Sequence, residues 1–120
     1  MIQISIEKRY DNYLNTLRLC SSEVNKHTGE YFLYVLFELL SIDVYTCFSE
    51  TNLNALAEAD FIHPYEVRMS IEIRDLFQKN EKVWFEIHEP ELIKENEEWK
   101  RVNMLADRIL GSRGYGKDHT

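Results

Sequence analysis

The densest run of apolar positions covers residues 31–48, where fourteen of eighteen side chains are apolar or aromatic and the exceptions are Glu38, Ser41, Asp43 and Thr46. As a helix this run would be about 27 Å long at 1.5 Å per residue, close to the hydrocarbon thickness of a bilayer. Insertion energies decide between lipid and protein surroundings. Its ten strongest hydrophobes contribute roughly −3 to −6 kcal/mol, and Glu38 and Asp43 together cost roughly 5 to 7 kcal/mol. No Lys or Arg lies between His27 and Arg68 to anchor either end. The pattern therefore predicts no membrane span. It predicts the central helix of a bundle, over about 30–49, apolar nearly all round because neighbours cover it. One polar line survives on it: Glu30, Tyr34, Glu38, Ser41, Tyr45 and Ser49, spaced at three and four residues. Asp43 lies off that line, among Leu36, Leu39, Leu40 and Cys47. A carboxylate there needs a base from another helix, a hydrogen-bond donor or a raised pKa.

The same periodicity marks other helices. Ile6, Tyr10, Tyr13, Leu14, Leu17, Cys20 and Val24 predict an amphipathic helix over about 5–26, with Gly29 as its stop. Thr51 or Asn52 would cap a short helix through Leu53, Leu56 and Ala59. Pro64 opens a helix over about 64–79, ended by Asn80. Residues 82–88 fit a strand as well as a helix turn, since Val83, Phe85 and Ile87 alternate. Pro90 opens a last helix through Trp99, Val102, Leu105, Ile109 and Leu110, stopped by Gly111. The expected fold is mainly α: a compact single-domain helical bundle over residues 1–111, with residues 112–120 as a flexible tail. The alternative is α+β, with a small sheet from residues 2–6 and 83–87.

Charge changes the picture from fold to partner. The 120 residues carry a net charge of −7. From His27 to Val67 seven acids (Glu30, Glu38, Asp43, Glu50, Glu58, Asp60, Glu66) face no Lys or Arg at all. A second acidic block runs from Glu81 to Glu98, whereas Lys100, Arg101, Arg108, Arg113 and Lys117 make the C-terminal end basic. Affinity for DNA or RNA comes largely from neutralising phosphates, so direct nucleic-acid binding is disfavoured. A basic protein partner is favoured. Its expected landing residues are Glu30, Tyr34, Glu38, Tyr45, Glu50, Glu58, Asp60, Tyr65 and Glu66, the tyrosines serving as anchors and the Glu81–Glu98 block as a supplement. Homo-oligomerisation is left open.

Candidate chemistry adds little. His27, His63, His88 and His119 are scattered, and Asp60-x-x-His63 is one motif where a di-metal bundle needs two. Glu86-x-His88-Glu89-x-Glu91 lacks the two-histidine helical spacing of a zinc protease. No nucleophile elbow, phosphate loop or activated cysteine motif is present, so no catalytic residue, metal or cofactor is assigned. Cys20 and Cys47 fall on apolar helix faces and predict buried thiols in a reducing, cytoplasmic setting. The sequence thus points to a small acidic protein-binding protein: a stoichiometric inhibitor or immunity protein neutralising a basic partner such as a nuclease toxin or nucleic-acid-handling effector. Small acidic immunity proteins share this general character. The alternative is a small helical enzyme or ligand-binding regulator with a pocket near Asp43, Tyr34 and His63.

Overall fold

Helix starts in this chain are written in capping side chains. Ser5 accepts from the Lys8 N–H, Thr28 from the Tyr31 N–H, Ser49 from the Asn52 N–H, and Asn96 from the N–H groups of Glu98 and Trp99. Pro64 and Pro90 occupy first-turn positions, where a missing N–H costs nothing. The computed structural model describes residues 4–112. Its helices are α1 (Ile6–Cys20), α2 (Gly29–Cys47), α3 (Glu50–Glu58), α4 (Pro64–Ile87), α5 (Pro90–Glu95) and α6 (Glu97–Ser112), with a 3₁₀ turn at Ser22–Lys26. Helix accounts for 86% of the described residues and no strand is present among them, so the mainly α bundle is the fold.

The sheet alternative fails at residues 83–87, which lie inside α4. Alternation would bury Val83 and Phe85 on one face, yet they are 47% and 59% exposed while Trp84 between them is fully buried. Residues 2 and 3 lie outside the described residues, as does the predicted tail beyond Ser112.

Several boundaries differ from the sequence prediction, each for a local reason. α1 stops at Cys20 because the Ser21 hydroxyl donates to the Arg18 carbonyl and accepts from the Glu23 N–H, offering the backbone an alternative to continued helix. Gly29 does not stop a helix; it opens α2. A Cβ there would lie 2.9 Å from Pro90 Cγ, so glycine permits the close seat of α5 on α2. α2 ends at Cys47, and Ser49, rather than Thr51 or Asn52, caps α3. Asn80 does not end α4, because its amide donates to the Leu76 carbonyl within the same helix. The last helix is two, broken where the Asn96 side chain caps α6 and also accepts from Trp84 Nε1. Gly111 and Ser112 continue α6 rather than stop it.

Inside, α6 packs between α1 and α4, and the second half of α2 closes on α1 and α4. The core around Trp99 is aromatic: Phe32, Phe77 and Trp84 meet its ring edge-to-face at 5.5, 6.1 and 5.6 Å. Polar groups within this core are tied. Trp99 Nε1 donates to Asn25, the Asn25 amide donates to Asn103, and the Asn103 amide donates to the Cys20 carbonyl. The Tyr13 and Ser70 hydroxyls share a buried 2.8 Å hydrogen bond.

The core side of α2 is set by a four-residue spacing: Phe32, Leu36, Leu40, Val44 and Phe48 are all buried. In an α-helix each four-residue step drifts about 40° around the axis. A π turn at Val35–Leu39, with the Leu40 N–H donating to the Val35 carbonyl, takes up part of that drift. No single described helix is long and apolar enough to cross a membrane; α2 and α3 reach that length and composition only as a pair bent by 56°.

Candidate functional site

α2 is not covered all round. Tyr34 (50%) and Ile42 (64%) are exposed on its outer side together with Glu30, Glu38 and Thr46. Beside this strip, α2 and the C-terminal half of α4 wall a cleft of about 440 Å³ lined by Phe37, Glu38, Gln78, Glu81, Lys82 and Phe85. The π turn carries Phe37 and Glu38, and π turns are frequent at functional sites. At the end of α4, His88 takes a left-handed backbone (φ 50°) and its N–H donates to the Trp84 carbonyl. That cap lays the imidazole flat on Phe37, centroids 5.7 Å apart. Phe85 stands edge-on to both rings, at 5.3 Å from Phe37 and 5.6 Å from His88. Three rings therefore form a cluster at the surface, with Phe85 59% exposed and His88 exposed beside it.

The charges around the cluster are mostly acidic. Glu38 makes no ion pair among the described residues. Glu81 accepts a 2.8 Å hydrogen bond from the Tyr45 hydroxyl. Burial, and then that bond to the carboxylate, push the Tyr45 phenol well above its ordinary range, so it stays a neutral donor. Glu86 lies one turn beyond Lys82, the single base lining the cleft.

Of the nine sequence-predicted landing residues, the fold gathers Tyr34, Glu38 and Tyr45 on this side, with Glu30 one turn before Tyr34. Tyr45 is half-buried and tied to Glu81 rather than free. Glu50 is exposed and pairs with Arg74 at 3.7 Å. Glu58 and Asp60 are exposed at the end of α3, Asp60 in the left-handed conformation that turns the chain. Tyr65 stacks on His63 and donates to the Ser112 hydroxyl. Glu66 is 1% exposed and is not an unpaired charge, so it offers nothing to a partner's surface. The Tyr65 group sits at the far end of the bundle. Phe32, near Tyr34 in the chain, packs on Trp99, whereas Tyr65 bonds Ser112, thirteen residues or about 20 Å further along α6. The predicted surface is thus two surfaces.

The same separation puts Tyr34 and His63 apart. Asp43 is half-buried, makes no ion pair among the described residues, and bears on Cys20 and Cys47, whose thiols burial pushes up first and whose mutual and Asp43 charges push up further in Cys20. Both cysteines are free and buried. A second cleft, about 390 Å³, holds Asn15, Arg18, Glu23, His27 and Tyr31; a third, about 260 Å³, holds Arg9, Asn12, Thr46 and Asn52. No group of three or more His, Cys, Asp or Glu side chains converges as a metal site among the described residues.

Sequence reasoning missed Phe37, Phe85 and His88. Phe37 was hidden in a run expected to be covered, and Phe85 in the segment whose period is ambiguous. The available signal was the four-residue step from Glu81 to Phe85, which places acid and ring on one face once that segment is helical. Comparison with known protein families, curated proteins and solved structures gave no match.

Proposed function

We propose that this chain is a protein-binding protein that captures a basic partner on the α2–α4 cleft, acting as a stoichiometric inhibitor or immunity protein for a toxin or nucleic-acid-handling effector. The observation that carries this is the surface Phe37–Phe85–His88 ring cluster, with Phe85 and His88 exposed and Phe37 partly buried, flanked by Glu38 and Glu81 on a chain of net charge −7. Exposed aromatic clusters rimmed by polar groups mark interaction sites. Magnitudes favour a charged partner. Covering the exposed parts of Tyr34, Ile42 and Phe85 yields about 1 to 2 kcal/mol each. That sum falls short of the roughly 8 kcal/mol of a micromolar complex, before the cost of association is counted. Arg or Lys pairing with Glu38 and Glu81 supplies what the rings lack, steering the encounter and fixing its register, and truncating either acid of a desolvated pair should cost roughly 2 to 5 kcal/mol. The buried free thiols fit a reducing compartment such as the cytoplasm.

The test is parallel capture from the native host with wild type, Phe85→Ser and Glu38→Lys, followed by native mass spectrometry. The expected result is a one-to-one complex with a basic protein whose own activity falls on titration with wild type. Both variants should weaken it at least about tenfold, and association should slow as salt rises. An acidic partner, or a partner held equally by both variants, would refute the proposal.

A further inference from the structure

Resting on that reading of the cleft, we infer that its occupant is an amphipathic α-helix of the partner, apolar on one face and Arg/Lys-rich along the edges of that face. Both walls are helices, and their cleft-lining residues repeat at one turn: Glu38 lines the cleft and is followed by the exposed Ile42 on α2, while Gln78 with Lys82 and Glu81 with Phe85 repeat on α4. Each four-residue row forms a ridge whose side chains stand about 6 Å apart along the axis, and the four-residue rows of a docked helix fill the grooves beside such ridges. The alternative modes fit less well. Strand addition needs an open sheet edge, and no strand is present among the described residues. A second copy of this chain would bring two bodies of net charge −7 together. From Tyr34 to Tyr45, α2 offers about 16 Å, three turns of a bound helix. Phe85 and Phe37 supply the apolar part of the lining, with Glu38 and Glu81 placed to take basic side chains.

Two peptides of identical composition, each about 18 residues and rich in Leu and Arg, separate the helix from the site. One carries its single Pro at the first position and keeps an amphipathic helical pattern; the other carries that Pro in the middle, where it breaks the helix. Each is titrated into ¹⁵N-labelled protein while amide shifts are followed, with Phe85→Ser and Glu38→Lys as variants at exposed positions. The expected result is saturable binding of the first peptide alone, with shifts clustered at residues 37–42 and 78–88, weakened at least about tenfold in either variant. Equal binding of both peptides at those residues overturns the helical occupant and leaves the basic-partner cleft standing. Absence of binding by both, or shifts centred elsewhere, overturns the cleft and the inference together. Concentration-dependent shifts at the same residues without peptide show a second copy as the occupant and also overturn it.

Discussion

Asn103→Ala should unfold this protein about 6 to 14 °C below wild type, although alanine is the better helix former. Asn103 is buried, and one amide holds three segments: it donates 2.8 Å to the Cys20 carbonyl in the last turn of α1, and accepts 2.8 Å from Asn25 in the 3₁₀ turn. Asn25 in turn holds Trp99 Nε1 at 2.9 Å. Truncation leaves the Cys20 carbonyl without its side-chain donor in a buried place, which costs about 1 to 3 kcal/mol. The Asn25 amide is half-buried and recovers part of its bond from water, so it adds about 1 kcal/mol. Alanine's helix propensity returns about 0.6 kcal/mol. The net is about 1.4 to 3.4 kcal/mol. For 120 residues the unfolding entropy is about 250 cal/mol/K, so each kcal/mol moves Tm by about 4 °C. Thermal unfolding followed by calorimetry at neutral pH measures it. Thr46→Ala is the control, since that exposed hydroxyl only donates back to the Ile42 carbonyl of its own helix. An Asn103→Ala shift within 2 °C, or about 0.5 kcal/mol, of the control would show that the amide bridge holds nothing together.

Other outcomes follow from the same contacts. Gly29→Ala should lower Tm because its Cβ meets Pro90 at 2.9 Å, whereas Gly111→Ala, with open space around it, should leave Tm unchanged or raise it, as two melting curves will show. Leu40→Ala removes a fully buried side chain from α2 and should cost about 2 to 5 kcal/mol in a urea titration; a loss no larger than that of Thr46→Ala would misplace α2 in the core. Burial raises both thiols, so the unfolded chain releases their protons from about pH 8.5 upward while the folded chain keeps them. Stability should be full at neutral pH and fall as pH climbs past that range, with a smaller fall in Cys20→Ala; urea midpoints at neutral and alkaline pH check the sign.

Local patterning and the tertiary structure decide different things here. The prolines at 64 and 90, the capping hydroxyls at Ser5, Thr28 and Ser49, and the three-and-four spacing of apolar residues are local, and they determine a mainly helical chain, with residues 82–88 left between strand and helix. Net charge and its segregation are likewise in the sequence. Side-chain periodicity cannot say which apolar face finds a neighbour, because covering a face depends on residues far along the chain. Ile42 and Phe85 look like core by composition, yet the helices pack on the Leu36–Leu40–Val44 side of α2 and leave both open. Glu66 looks like surface, yet the fold buries it. Glycine at 29 signals a helix stop locally, and only the approach of Pro90 reveals why a side chain is excluded there. The acids of residues 30–66 form one block in the chain but two surfaces in space, because α6 holds their ends about 20 Å apart. Charge is additive along a sequence, whereas a docking face requires proximity, and proximity is set by packing.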